Sequence, residues 1–222
     1  IGTGIQGTAI IKKLIVAGYA VSMYDQISSQ MSKAMTFGAL ASASAAELIQ
    51  KCEIILLVLP AGNSPLDLLS RQDCREALKP GKVILQLGTT SVEAALRMND
   101  LVTAKNAVFA ECILCGPIAT IMDGSCPILY GGDEDVEKLI DAMCDNFGKI
   151  LQIGAIGQAS AFNLAALSHV YSIVHGFGLG SAMIERSNID QKKWLNFIKT
   201  GIGGHPADFL VDFLWPAHFE NR

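Results

Sequence analysis

The sequence predicts an α/β fold in which a doubly wound parallel sheet is followed by an all-helical C-terminal domain. Three observations predict this fold. A glycine-rich turn occupies residues 1–7 and leads directly into a helical stretch. Short apolar runs then alternate with helical stretches over about the first 150 residues. Beyond residue 157 the strand-like runs stop and two helical patterns remain.

The glycine-rich turn reads IGTGIQG, which is typical of dinucleotide-binding folds of the Rossmann type. In such a turn Gly2 allows a sharp exit from a strand, Gly4 lets a phosphate approach the backbone, and Gly7 lets the helix pack on the sheet. Asp25 follows Gly2 by 23 positions, close to the ~20 at which a carboxylate meets the adenosine ribose hydroxyls. The pattern predicts a nicotinamide-dinucleotide site. The alternative is a plain glycine turn followed by a surface aspartate.

The apolar runs predict strands that are covered on both faces of the sheet, because several runs are continuous rather than alternating. They occupy residues 20–24, 54–59, 83–87, 108–114, 127–130 and 150–153. Helices are predicted at residues 8–17, 28–37, 45–51, 91–101, 134–147, 160–186 and 191–200. We therefore expect a dinucleotide-binding Rossmann domain over residues 1–156 and a helical domain over residues 157–222. Since the chain starts on Ile1 and ends without a helical closure, we expect native N-terminal residues and C-terminal helices to be missing.

Composition argues against several function classes. The net charge is −4 and there is no basic run, which argues against nucleic acid and anionic membrane surfaces as partners. No charged residue lies between Lys149 and Glu185, but the polar residues and glycine break in this stretch favour a helix buried between a domain and a partner subunit over a membrane span. The six cysteines form no disulfide framework, and Cys112 and Cys115 lie in a strand-like run. We therefore expect reduced core cysteines, no metal site and a cytoplasmic location.

With several shorter motifs added, the chain resembles the β-hydroxyacid dehydrogenase superfamily, which has the 6-phosphogluconate dehydrogenase type of NAD-binding domain. Within it the chain is most similar to the imine reductases and reductive aminases. The glycine turn matches the family's I-G-L-G-x-M-G, with Gln6 in place of methionine. The further matches are Leu59-Pro60, Gly124, Ile128-Leu129-Tyr130, Gly131-Gly132-Asp133, and Gly157 at the start of the interdomain helix. The resemblance implies an NAD(P)-dependent oxidoreductase, similar also to 3-hydroxyisobutyrate dehydrogenase, that is a homodimer through its helical domain and acts on a small molecule.

The interdomain helix departs from the family at the catalytic position. Family dehydrogenases carry a lysine there as general acid and base, and imine reductases commonly carry an aspartate, whereas this chain has Asn163. An amide cannot exchange a proton near neutral pH. Tyr171, two turns further on the same face, matches a tyrosine that some reductive aminases place over the substrate. Asn163 and Tyr171 are thus the implied catalytic residues; the alternative for Tyr171 is a core tyrosine with a satisfied hydroxyl. His169 and His175 are interpreted as hydrogen-bonded core residues.

The loop that binds the substrate carboxylate in the family is altered as well. The family has a D-A-P-V-S-G-G segment there, whose serine and glycine N–H groups hold the carboxylate. This chain has Cys115, a weak donor, and Pro117, which has no N–H. We therefore expect hydride transfer to a neutral or cationic C=N bond, or to a C=O bond. The alternative is a catalytically inactive dinucleotide-binding scaffold or sensor.

The resemblance also implies the cofactor side of the site. Thr89 is what remains of the family's S-T-x-x-P loop beside the nicotinamide, the alternative being a helix N-cap role for Thr90 or Ser91. Imine reductases that use NADP carry N-R-[ST] after the second strand, whereas this chain has Asp25 there and no adjacent arginine. NAD is therefore expected rather than NADP, although Lys33 could still pair with the phosphate of NADP. The predicted cofactor-binding residues are Gly2, Thr3, Gly4, Ile5, Gln6, Gly7, Asp25, Gln26, Leu59, Pro60 and Thr89.

Overall fold

The computed structural model describes the backbone of residues 1–200 and the side chains of residues 1–198. Strands and helices alternate along the described chain. In order they are α1 (Ile5–Val16), β1 (Ser22–Met23), α2 (Ser28–Met35), β2 (Leu40–Ala41), α3 (Ala45–Lys51), β3 (Ile54–Leu57), α4 (Ser64–Ser70), α5 (Gln72–Ala77), β4 (Val83–Gln86), α6 (Val92–Thr103), β5 (Val108–Leu114), α7 (Ile118–Asp123), β6 (Cys126–Gly131), α8 (Glu134–Cys144), β7 (Gly148–Gly154), α9 (Gln158–Arg186) and α10 (Gln191–Thr200). The chain forms two compact units, residues 1–166 and the residues from 167 onward. The predicted domain limits, 1–156 and 157–222, stay a prediction.

Side-chain caps set the start of several helices in the first unit. The Ser44 hydroxyl accepts a hydrogen bond from the Glu47 N–H (3.1 Å), and the Glu47 carboxylate accepts one from the Ala43 N–H (2.6 Å). This reciprocal arrangement satisfies two of the N–H groups that the first turn of α3 leaves free. Ser91 caps α6 and Asp133 caps α8, each through one side-chain oxygen that accepts a hydrogen bond from a first-turn N–H. The sequence therefore fixes these helix starts locally.

The first residues of the chain lie between two parts of the sheet. Strands β1 and β2 pair in parallel, and strands β3 to β7 pair in sequence order. The Ile1 nitrogen donates to the Leu56 carbonyl (2.7 Å) and the Val58 N–H donates to the Ile1 carbonyl (2.9 Å). On the other side the Gly2 N–H donates to the Tyr24 carbonyl (2.9 Å). Residues 1 and 2 thus take the central strand position of a Rossmann-type sheet, from which the glycine turn leaves at the carboxyl edge.

Helices cover both faces of this sheet, which confirms the predicted fold class. Alternate residues of β4 enter different parts of the core. Ile84 packs in a cluster with residues of α3, α4, α5 and α6, whereas Val83 and Leu85 pack in a cluster with residues of α1, α7 and α8. All four residues of β4 are buried, as the continuous apolar run predicts.

The direction of the last two strands differs from the all-parallel sheet that the sequence predicts. Strand β6 runs antiparallel to β5, and β7 runs parallel to β6. Only the short helix α7 separates β5 from β6. A parallel crossover needs a dozen or more residues, usually with a helix long enough to return the chain to the starting edge. The shortness of this connection therefore forces the reversal.

Three short helices, α4, α5 and α7, and the two-residue strand β2 were not predicted. The three helices are short and lack a side-chain N-cap of the kind that marks α3, so their apolar patterns do not stand out from a loop. Strand β2 has only two residues. Cys112 is buried and Cys115 is half-buried, and all six cysteines are free thiols. No helix among the described residues combines the length and the apolarity needed to cross a membrane.

Candidate functional site

A cavity of about 790 Å³ opens at the carboxyl edge of the sheet in the first unit. Five chain segments line it: the glycine turn with the first turn of α1, residues 24–27 after β1, Gln30 of α2, residues 58–60 after β3, and one side of α4 up to Arg71. Ligands of open α/β sheets bind in the crevice outside the carboxyl ends of the strands. All of the predicted cofactor-binding residues except Thr3 and Thr89 line this cavity.

The glycine turn brings bare backbone to the cavity. A Cβ atom on Gly2 would collide with the Val58 carbonyl, and one on Gly7 would collide with the Gly2 carbonyl. Both collisions are with backbone, so these two glycines are required by close packing of the turn on the sheet. Gly4 differs, because a Cβ atom there would meet no atom within 4 Å. Its missing side chain keeps space open on the cavity side, where a ligand can approach.

The N-terminus of α1 has free hydrogen-bond donors. Its N-cap residue is Gly4, no side chain caps it, and its first turn holds no acidic residue. The first N–H groups of a helix have no partner within the helix, and the helix dipole adds partial positive charge at this end. Such an end binds phosphate groups. The segment therefore fits the pyrophosphate of a dinucleotide.

The Asp25 carboxylate is fixed at the edge of the cavity by the glycine turn. Its Oδ2 accepts hydrogen bonds from the N–H (2.8 Å) and the hydroxyl (3.2 Å) of Thr3, and its Oδ1 accepts one from the Ile27 N–H (2.9 Å). A carboxylate offers about four lone-pair sites, so it can still accept a hydrogen bond from a ligand hydroxyl. Thr3 is itself buried and positions Asp25 without lining the cavity.

The same cavity contains an arginine that was not predicted. Arg71, between α4 and α5, lines the cavity although it is far from Asp25 in sequence. Its Nη2 lies 2.6 Å from Asp73 Oδ2, and its Nε donates to Asp73 Oδ1 at 3.1 Å. No arginine lies adjacent to Asp25 in the sequence, as expected, but Arg71 lines the same cavity. The sequence analysis missed Arg71 because it did not predict α4, the helix that ends next to this residue.

Two other predicted site residues, Asn163 and Thr89, contact each other next to this cavity. The Asn163 Nδ2 on α9 donates a hydrogen bond to the Thr89 hydroxyl (3.1 Å), and Asn163 is only 2% exposed. Thr89 belongs to the loop after β4, and this loop lies against Leu59, since a Cβ atom on Gly88 would be 2.8 Å from the Leu59 carbonyl. The structure thus brings together two residues that the resemblance had implied separately. Of the two cap candidates, Ser91 rather than Thr90 caps the following helix.

A buried carboxylate holds the start of α9 on the sheet. Glu111, on β5, is fully buried. Its Oε2 accepts from the Gly157 N–H (2.6 Å), and its Oε1 accepts from the Ser160 N–H (3.0 Å) and the Ser160 hydroxyl. Burial raises the pKa of the Glu111 carboxyl, and the hydrogen bonds from Ser160 and Gly157 oppose this shift. The sequence analysis assigned Glu111 no role, although an acid inside an apolar strand is a usable signal.

Two residues after β5 offer no free backbone donor. The Cys115 N–H donates to the Pro127 carbonyl (2.9 Å), so the sheet already uses it. Pro117 is the N-cap of α7 and has no N–H to donate. These two positions thus lack donors for a carboxylate, in line with the sequence interpretation, whereas the first turn of α7 has no side-chain cap.

Tyr171 lies on α9 within the second unit and is 66% exposed. Within the single chain Tyr171 is therefore not a core tyrosine, and its predicted catalytic role stays a prediction. His169 and His175 are exposed in the single chain too, so they are not core residues of one chain. The sequence alone does not show which turns of an uncharged helix one chain covers by itself.

Comparison with protein families gives a match over most of the chain. The sequence model of the family described as the NAD binding domain of 6-phosphogluconate dehydrogenase matches residues 1–157. These residues include the glycine turn, Asp25, Arg71, Thr89 and Glu111. The match thus covers the whole cavity.

Two relatives and one solved structure show the range of similar proteins. The chain is 24% identical over 205 residues to an Arabidopsis thaliana protein named "Probable 3-hydroxyisobutyrate dehydrogenase-like 3, mitochondrial", with 92% of this chain and 64% of that protein covered. The chain thus spans less than two thirds of this relative. It is 24% identical over 226 residues to the NAD-dependent L-serine dehydrogenase of Pseudomonas aeruginosa, covering 100% of this chain and 74% of that protein. An imine reductase from Myxococcus stipitatus in complex with NADP+ is similar in fold, with a TM-score of 0.87, 21% identity, and coverage of 100% of this chain and 76% of that one.

Proposed function

Because the chain belongs to the family of the NAD binding domain of 6-phosphogluconate dehydrogenase, we propose that the protein is an NAD(P)-dependent oxidoreductase that reduces a C=N or C=O bond. The observation that carries the proposal is the cavity itself. Its glycine turn presents free N–H groups beside a fixed carboxylate, Asp25. The hydrogen-bonded residues Asn163 and Thr89 lie next to the cavity, where the loop after β4 contacts Leu59. When bound, the reduced dinucleotide supplies a hydride.

An imine or iminium substrate fits this site better than a hydroxyacid does. Asn163 holds the position where the resemblance implies a lysine, and its amide neither gives nor takes a proton near neutral pH. A protonated imine already carries its proton, so hydride addition completes its reduction without a strong general acid. Neither Cys115 nor Pro117 offers a free backbone N–H, which likewise disfavours a carboxylate held at these two positions. Asn163 orients the substrate, and Tyr171 or a water molecule supplies a proton where one is needed.

The cofactor in this proposal is NAD rather than NADP. Asp25 carries a negative charge at the edge of the cavity and retains capacity to accept a ribose hydroxyl. The same charge repels a phosphate on that ribose. Arg71 does not offset the repulsion in full, because Asp73 already compensates its charge.

A homodimer formed through the helical segment is part of the proposal. Helix α9 has 29 residues, and most of its large apolar side chains past residue 166 are exposed in the single chain. Val170, Val174 and Phe177 are 51%, 60% and 42% exposed and follow helical spacing. Contiguous apolar patches of this kind mark interaction surfaces. A second copy of the chain is the partner that the resemblance implies. A cytoplasmic location stays a prediction.

The competing candidate is a dinucleotide-binding scaffold without turnover. It is favoured by one observation, namely that Asn163 is nearly buried and its amide nitrogen already binds Thr89. In this case the residue serves only to join α9 to the loop after β4.

Turnover separates the two candidates. The purified protein is mixed with NADH and, in separate reactions, with cyclic imines, aldehydes or ketones, and 2-keto acids, while the dihydronicotinamide absorbance is followed. The oxidoreductase proposal expects cofactor oxidation that is fastest with an imine. Cofactor binding without oxidation in any reaction supports the scaffold, and faster turnover of 2-keto acids contradicts the C=N preference.

A further inference from the structure

Arg71 and Asp73 form a charge pair at the rim of the dinucleotide cavity. Among the cavity-lining residues in the described part of the chain, only Arg71 has a cationic side chain. It lies at the junction where α4 ends and α5 begins. Two carboxylates line the cavity as well, Asp25 on the segment after β1 and Asp67 on α4. One cationic and two anionic side chains thus line one space.

The geometry of the pair is bidentate. Arg71 Nη2 meets Asp73 Oδ2 at 2.6 Å while Nε meets Oδ1 at 3.1 Å, so two N–H groups of one guanidinium contact the two oxygens of one carboxylate. The Cys74 N–H also donates to Asp73 Oδ1 (2.9 Å), which fixes the carboxylate in the first turn of α5. About half of each side chain is exposed, so the cavity solvent can reach the pair.

Arg71 lines the same cavity as the segment after β1. That segment includes Tyr24 and Asp25, and both line the cavity. Asp73 is the largest cause of the raised pKa of Arg71. In the proposed function Asp25 meets the adenosine ribose, so Arg71 and the ribose site share one cavity.

A guanidinium binds a carboxylate and a phosphate monoester with the same two-pronged geometry. We propose that Asp73 is an internal counter-ion that occupies the Arg71 guanidinium and so withholds it from the 2′-phosphate of NADP. Asp25 and Asp73 then set the cofactor preference together. Asp25 repels the 2′-phosphate of NADP, and Asp73 binds the Arg71 guanidinium that would otherwise bind this phosphate. This inference rests on the dinucleotide site of the proposed function. Exposed ion pairs are weak, so removal of Asp73 frees Arg71 for a phosphate without loss of the fold.

The test compares dissociation constants of NADH and NADPH, measured by fluorescence titration, for the wild type and three variants. Asp73→Asn removes the charge but keeps an oxygen for the Cys74 N–H. Glu76→Gln is the matched control, because Glu76 is exposed on the same helix and binds Gln72 rather than Arg71. The double variant Arg71→Leu/Asp73→Asn removes the cation as well.

We expect Asp73→Asn to shift the ratio of NADPH to NADH affinity toward NADPH by ~2–5-fold, the size that an exposed ion pair allows. Glu76→Gln should leave the ratio unchanged, and the double variant should lose the gain. The inference is overturned if Asp73→Asn leaves the ratio of NADPH to NADH affinity unchanged. It is also overturned if Glu76→Gln shifts this ratio as much as Asp73→Asn does, or if the shift persists in the double variant, which lacks Arg71. These outcomes all require NADH binding by the wild type; its absence would instead contradict the proposed function.

Discussion

At the scale of single residues, if the substrate binds at Asn163 as proposed, the Asn163–Thr89 hydrogen bond limits what this side chain can do. The amide donates to Thr89 through Nδ2, so its carbonyl oxygen is the group that remains to accept a hydrogen bond. An amide oxygen orients a donor on the substrate but does not protonate it. The proton for a neutral substrate must then come from another group, for which Tyr171 is the predicted source.

The role of Tyr171 is tested by Tyr171→Phe, which removes the hydroxyl and leaves the ring. We expect turnover of a substrate that binds as the neutral imine to fall by up to ~10²–10⁴-fold, the range of general acid catalysis, with cofactor affinity nearly unchanged. Steady-state kinetics with saturating NADH measure the effect. Because the side chain is exposed in the single chain, the melting temperature should hardly move.

Asn163→Ala is the companion variant for Tyr171→Phe. It should weaken substrate binding and lower activity less sharply, since a water molecule can take over an orienting hydrogen bond. If both variants keep wild-type rates, this segment of α9 has no catalytic role and the scaffold candidate gains support.

At the scale of elements, α9 is anchored by one buried carboxylate rather than by apolar packing alone. Glu111→Gln replaces one accepting oxygen with an NH₂ group that must face an N–H donor of Gly157 or Ser160. We expect this change to cost ~1–3 kcal/mol of unfolding free energy, the range for an unsatisfied buried group. Ser160→Ala removes only one of the donors and should cost less. Urea unfolding measures both variants.

The difference in unfolding free energy between the wild type and Glu111→Gln should depend on pH, because burial raises the pKa of the Glu111 carboxyl. A folded-state pKa above the unfolded value means that the folded protein binds the proton more tightly. The resulting stabilisation is present below the unfolded-state pKa of about 4.3 and is lost as the pH rises through the folded-state pKa. Since glutamine does not titrate, the free-energy gap between the wild type and Glu111→Gln should narrow as the pH rises. A gap that widens with pH would show that the donors from Ser160 and Gly157 outweigh burial.

The elements also show which features a sequence can predict. The glycine turn and Asp25 were predicted because a strand, a turn and a helix place them within one short stretch of chain. The reversal of β6 was not predicted, because an apolar run has no direction and only the length of the connection sets it. Arg71 and the Glu111–Ser160 contact were missed for a different reason, since they depend on residues brought together across the sheet.

At the scale of the whole molecule, the exposed apolar side chains of α9 predict self-association. Light scattering should give about twice the mass of the chain. Val174→Asp, which places a charge on this apolar face, should shift the protein toward the monomer while the cavity in residues 1–166 keeps its affinity for NADH. A wild-type protein of monomer mass at all concentrations contradicts the dimer.

The central claim is that the cavity at the carboxyl edge of the sheet is a dinucleotide site that prefers NAD. It is tested most directly by titrating NADH and NADPH into the wild type and into Gly4→Val. The valine fits the protein, because a Cβ atom at Gly4 meets no atom within 4 Å, but it fills the space through which a pyrophosphate reaches the α1 N-terminus. We predict tighter binding of NADH than of NADPH by the wild type, and loss of both in a folded Gly4→Val protein. Tighter NADPH binding by the wild type, or unchanged NADH binding by Gly4→Val, would contradict the account.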